Sequence, residues 1–175
     1  FSEAERVFRA LLDEVTDALG VGREAAGKAR LRVAECLDGR GEYDEALKML
    51  ETVVEDYQRT ALAAEAQYTA GYILEVHRRD YDGARTAYAK VREHAASSQF
   101  ATRADARSAN LRRLRALRAT STETDPAETA LAAAELLLLD LEKPEEALAQ
   151  YDVVRRRYPH NEAARKAAFA IAWTH

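Results

Sequence analysis

A stripe of side chains written three times at one spacing constrains this chain more than anything else in it. Ala46, Leu50, Val53 and Tyr57 form one copy, Ala84, Tyr88, Val91 and Ala95 the next, and Ala147, Tyr151, Val154 and Tyr158 the third. Each runs at offsets of 4, 7 and 11 from its alanine, positions that fall on one face of an α-helix and mark the face it must bury. Ala4, Phe8, Leu11 and Val15 repeat those offsets at the start of the chain. Small residues recur in a second register. Gly71, Ala109 and Ala172 each follow a stripe by 14 residues, and Ala34 and Ala134 precede Ala46 and Ala147 by 12 and 13. A small side chain there lets two antiparallel helices approach closely, so the repeating unit is a helix pair. Its period, from Ala46 to Ala84, is 38 residues.

Composition agrees with that reading. The 175 residues hold 37 alanines against four Phe, one Trp and one Met, with three Pro and seven Gly. Such a mixture favours helices joined by short loops over sheet. Helices are predicted near 2–19, 23–38, 43–58, 61–78, 81–96, 100–118, 126–141, 144–157 and 161–174. Ser2 with Glu5 reads as a capping box, Gly20 and Gly39 as helix closers, and Asp125-Pro126 as a cap followed by Pro at a first helical position. Between Ala84 and Ala147 lie 63 residues, too many for one period and too few for two, so the helix near 100–118 is expected to lack a second-helix partner. The polar stretch Thr120-Ser121-Thr122-Glu123-Thr124-Asp125 is expected to break the array, either as an ordinary surface loop or as a hinge or interaction loop. The expected organisation is an N-terminal array over 1–119, the break at 120–125, and a repeat plus a half repeat over 126–175. The first helix reads as the second of a pair and the last as the first of a pair. Phe169, Ile171 and Trp173 therefore predict continuation of the array, and a longer native protein is expected.

The residues resemble the tetratricopeptide repeat family: a small residue in the first helix, Tyr or Pro opening the second, then Ala, an aromatic or Leu, and a closing Tyr158-Pro159. The segments Ala66-Gln67-Tyr68-x-x-Gly71 and Asp80-Tyr81-Asp82-Gly83-Ala84-x3-Tyr88 are similar to bacterial envelope versions, such as BamD-like assembly lipoproteins and Tol–Pal coordinator proteins. The resemblance implies an all-α, right-handed superhelical α-solenoid of about nine helices. It implies a non-catalytic scaffold that binds a partner protein or peptide in a concave groove. The alternative it carries is a structural component of a bacterial cell-envelope assembly, and it favours the periplasm or envelope over the cytoplasm. The family's first-helix Trp is absent here, which leaves loop geometry open.

Catalytic and cofactor signatures are missing from the sequence. His77, His94, His160 and His175 share no metal-ligand spacing with one another or with Cys36, and Gly20-Val21-Gly22 lacks the Lys-Ser/Thr of a phosphate-cradling loop. No enzyme, metal or cofactor is expected. Cys36 sits in a helical apolar pattern and reads as core packing. A net charge of −4 opposes tight binding to nucleic acid, and no stacking aromatics interleave with Leu111-Arg112-Arg113-Leu114-Arg115. No apolar run approaches the ~18 residues needed to cross a bilayer. Charge is distributed unevenly: residues 100–120 hold six Arg against Asp105, and residues 121–146 hold eight carboxylates against Lys143.

In the tetratricopeptide fold the groove is lined six, three and two residues before the small residue and one and four after it. Those positions name Lys28 and Arg32 on one helix, Tyr68 and Tyr72 on the next, and Arg103, Arg107, Asn110 and Arg113 on a third. The i, i+4 pairs Lys28/Arg32 and Arg103/Arg107 could each grip a carboxylate, with the tyrosines as flat anchors. An acidic or C-terminal peptide is the partner this pattern fits. The plainer reading, Arg paired with local Glu and Tyr packed between helices, stands beside it.

Overall fold

The structure is a computed structural model that describes residues 3, 6, 7, 10, 22–119 and 125–174. Residues 3, 6, 7 and 10 are helical; the rest of the expected first helix, with its capping box, its stripe and Gly20, lies outside the described residues. The other expected helices form within two residues of their predicted ends: α1 (Gly22–Gly39), α2 (Tyr43–Asp56), α3 (Ala61–Val76), α4 (Tyr81–Ala95), α5 (Gln99–Ala119), α6 (Pro126–Leu139), α7 (Pro144–Arg157) and α8 (Glu162–Thr174). No strand occurs among the described residues. The chain divides into two compact units, Phe1–Ser108 and Ala109–His175, and the division falls inside α5. In the first unit α1 packs on α2, α2 on α3 and α3 on α4; in the second, α6 packs on α7 and α7 on α8.

The repeated stripe is the core of each pair. Ala46, Leu50 and Val53, then Ala84, Tyr88 and Val91, then Ala147, Tyr151 and Val154 are all buried, and the fourth position of each is half-buried. Opposite them, Ala34, Gly71 and Ala134 are buried notches. Ala109 and Ala172 are not; both are exposed. A notch needs a helix crossing it. The described part of α8 buries Ala163, Ala164 and Ala167 and leaves its later residues open, while α5 buries Ala101, Ala104, Leu111 and Leu114 and turns Ala109 away from that face. Phe169 and Trp173, stacked at 6.5 Å, are 72% and 81% exposed, whereas Ile171 is half-buried.

One turn joins the two helices of every pair. Gly41, Arg79 and Glu142, each two residues before the second helix, have φ of 81°, 53° and 55°. The residue after each turn closes back on the first helix: Glu42 N–H donates to the Leu37 carbonyl at 2.9 Å, Asp80 to Leu74 at 2.9 Å and Lys143 to Leu137 at 2.8 Å. Carbonyls that a helix end would otherwise leave unpaired are satisfied this way. Short polar side chains cap the opposite ends. The backbone N–H of Ala63 donates to Thr60, that of Ala101 to Ser98, that of Ala127 to Asp125 and that of Ala163 to Asn161. The Asn161 amide also donates to Asp125 at 2.8 Å, tying the starts of α6 and α8 together.

Gly71 is the tightest notch whose neighbour cannot yield. A Cβ there would lie 2.6 and 2.7 Å from ring carbons of Tyr88, a side chain 1% exposed. Gly71→Ala is expected to cost about 1–3 kcal/mol in urea unfolding, as overpacking does in a close-packed core. At the exposed turn, Glu142→Gly is expected to gain about 0.5–1 kcal/mol by relieving a left-handed conformation that costs residues with a Cβ; a lower unfolding midpoint would contradict the assigned turn.

Candidate partner-binding face

The first unit brings helix faces of α1, α3 and the first half of α5 to the positions singled out in the sequence. At its centre is a carboxylate with no solvent exposure, Glu75 on α3. Arg107 of α5 grips it with two parallel bonds, Nε to Oε2 and Nη2 to Oε1, both 2.8 Å, and the Tyr88 hydroxyl of α4 donates to Oε2 at 2.8 Å. Three helices thus meet on one buried anion. Burial holds the Tyr88 phenol well above its ordinary pKa, and the Glu75 charge pushes it the same way. Burial works against the Arg107 charge, but the hydrogen bonds and charge of Glu75 outweigh it and the guanidinium stays protonated.

Around that cluster the tyrosines and arginines interleave. Arg103 lies over the Tyr68 ring at 4.9 Å and Arg107 over Tyr72 at 5.4 Å. Tyr68 is buried, tilted against Tyr88 at 5.6 Å and Phe100 at 5.8 Å, and so serves as a platform under Arg103. Tyr72 is 37% exposed. Arg103 is exposed and has no carboxylate partner among the described residues. Arg92 of α4 and Asp105 of α5, 2.6 Å apart, fix this stretch of α5 further.

The remaining expected residues are placed differently. Arg32 pairs with Glu35 and reaches Glu65 at 3.4 Å; the Glu35 bond raises its pKa against burial. Lys28 is exposed and pairs with Glu24 at 2.6 Å, which lowers the Glu24 pKa. Asn110, half-buried, and Arg113, exposed, belong to the part of α5 in the second unit. Leu31, also at a groove position, is core. Among the described residues no group of three or more His, Cys, Asp or Glu could hold a metal ion.

Sequence reasoning placed Glu75 on this face but missed it as the anchor of Arg107, and it missed the role of Phe100. It placed Asp38 at the equivalent position on α1 as well, without marking its unpaired oxygen. Asp38 and Glu75 both stand four residues after their notches. The His77 imidazole lies beside Asp38, with Nε2 3.4 Å from Oδ1, and that buried oxygen accepts no hydrogen bond. His77 in turn stacks on Tyr43 at 4.6 Å and meets Tyr72 edge-on at 6.3 Å. Burial raises the Asp38 pKa, with His77 acting against it and Glu35 with it.

Arg107→Met is expected to cost about 3–5 kcal/mol, because it strands a buried charge. The double change Glu75→Leu with Arg107→Leu should cost much less, and urea unfolding of the two variants tests the difference. A raised folded-state pKa means that the ionised Asp38 destabilises the fold, a penalty present at neutral pH that fades as pH falls and the carboxyl protonates. Asp38→Asn is therefore expected to raise the melting midpoint at pH ~7 and to leave it unchanged below about pH 3.

No curated protein and no solved structure matches this chain significantly. Residues 28–60, which run from within α1 through α2 to the cap of α3, match a family model described as tetratricopeptide repeat. The matched stretch is thus similar to one tetratricopeptide repeat, and the helix pairs that follow it recur in the same pattern.

Proposed function

We propose that this chain is a non-catalytic scaffold that holds a partner protein or peptide, and that Arg103 and Tyr72 on the first unit make the contact. One observation carries the reading. Arg103 lies over the buried Tyr68 ring, is itself exposed and has no carboxylate partner among the described residues, beside a Tyr72 that is also exposed. Such a pair offers a preformed cation and a flat apolar anchor at little conformational cost, the combination enriched at protein contacts. The partner that fits is a segment with a carboxylate, from an acidic side chain or a chain end, next to an apolar side chain. Arg107, Tyr68 and Glu75 set the geometry from beneath and do not reach the partner first.

Affinity capture with the native chain as bait, followed by titration of the recovered partner, tests this reading. Arg103→Glu is expected to weaken binding about tenfold at low salt, with a smaller loss at high salt. Tyr72→Ala should weaken it at both. A partner bound equally well by wild type and Arg103→Glu would overturn the assignment.

A further inference from the structure

One face of α8 repeats the pattern of α3 but is left open. Counted from the capping residues Asn161 and Thr60, Arg165, Phe169, Ala172 and Trp173 on α8 stand at the same steps as Ala64, Tyr68, Gly71 and Tyr72 on α3. The first three of the α3 set are buried, Gly71 directly beneath the Tyr88 ring of α4. All four of the α8 set are exposed, with the Phe169 and Trp173 rings stacked on one another. Among the described residues α8 packs only against α7 and α6, and it buries Ala163, Ala164 and Ala167.

Repeat geometry shows what such a face is built to receive. In each helix pair a small buried residue stands seven before the notch: Gly27 before Ala34, Ala64 before Gly71 and Ala127 before Ala134. Two antiparallel helices account for the spacing. The notch meets the second residue of the opposing stripe, as Gly71 meets Tyr88, so the residue seven earlier meets the fourth, as Gly27 meets Tyr57. On α8 that earlier place holds Arg165. The stripes of this chain close in Val15, Tyr57, Ala95 and Tyr158, none of them a counter-charge. Laying such a stripe on α8 would bury a guanidinium without an anion, which is costly.

Charge on this helix is otherwise balanced. Lys166 is held by Glu128 at 3.4 Å and by Glu162 at 3.9 Å. Arg165 beside it makes no hydrogen bond, ion pair or ring contact among the described residues. The open face therefore combines two stacked rings, a notch and one cation that awaits an acid.

We propose that this face of α8 docks a helix of a partner protein, one that runs antiparallel to α8 with apolar side chains at i, i+4 and i+7 and a carboxylate at i+11, the offsets of this chain's own stripe. The apolar residues cover Ala172 and the Phe169 and Trp173 rings, and the carboxylate meets Arg165. The rings supply the apolar anchor and the guanidinium selects the charge. An acid in the fourth place separates this partner from a second copy of the chain, whose stripes lack one. The site does not depend on the Arg103 face.

Trp173 is the single tryptophan of the chain, so its fluorescence reports on this face directly. The probe is a capped, tryptophan-free helical peptide with leucine at the first three stripe places and glutamate at the fourth, titrated into the full chain. A saturable blue shift of the Trp173 emission is expected, and a peptide with arginine at the fourth place should bind about tenfold more weakly. Arg165→Glu should exchange the two preferences, and Phe169→Ser should weaken both peptides. Both side chains are exposed, so these variants should keep the fold, which far-UV circular dichroism checks. Arg103→Glu should leave the titration unchanged, even if the first-unit face binds nothing. No saturable shift, equal binding of the two peptides, or a preference that Arg165→Glu does not exchange would each overturn the proposal. A blue shift that grows with protein concentration in the absence of peptide would also overturn it, by assigning the face to a second copy of this chain.

Discussion

The close approach of Gly71 to the Tyr88 ring is the contact on which the first unit depends. Because residue 71 has no side chain, the α4 ring lies directly on the α3 backbone, and only at that depth does its hydroxyl reach Glu75, one helical turn further along α3. Glu75 would be a destabilising buried charge if left alone. Arg107 answers it from the next helix with a bidentate bond that tolerates little rotation. A missing methyl group therefore fixes, through one ring and one carboxylate, where α5 sits against α3 and α4.

That geometry carries outward to the proposed binding face. Arg103 lies one turn before Arg107 on the same helix, so the register set by the buried pair also sets where its guanidinium emerges. Its platform, Tyr68, rests on Tyr88 as well. Buried ion pairs add little net stability compared with a well-packed apolar core, and what they supply best is a single register. Asp38 illustrates the opposite case. It occupies the equivalent place on α1 but faces only an imidazole at 3.4 Å, and one of its oxygens accepts nothing. The same position thus gives a rigid joint in one repeat and a strained, titratable one in the other.

Much of the fold was legible because burial on a helix has a period that side-chain size reveals. The stripes at Ala46, Ala84 and Ala147, the notches at Ala34, Gly71 and Ala134, and the cap at Asp125 all stand out as small or large residues at fixed steps. Two of the small residues misled. Ala109 and Ala172 keep the spacing but lie exposed, since an alanine is equally at home on an open helix face. The turns were only partly legible: Gly41 announces a left-handed residue, while Arg79 and Glu142 adopt the same conformation without any compositional sign. On the candidate face, residue type located Arg103, Arg107, Tyr68 and Tyr72 but could not separate them. Whether an arginine meets solvent or a buried glutamate depends on a residue of another helix, as Arg107 and Glu75 show at a sequence distance of 32.

The irregular spacing between the second and third stripes also has a physical account in α5. Its first half behaves as the first helix of a pair, placing Arg103 and Arg107 against the tyrosines of α3. Its second half carries the stripe of a second helix, with Leu111 and Leu114 buried and Arg118 at the last place. The 21-residue helix therefore does the work of two shorter ones without a turn between them, which is why the interval fits neither one period nor two. It also explains why a helix with six arginines sits in an acidic chain. Its positive charge is not one basic patch: Arg107 answers the buried Glu75 and Arg103 lies over the Tyr68 ring in the first unit, whereas Arg112, Arg113, Arg115 and Arg118 belong to the second.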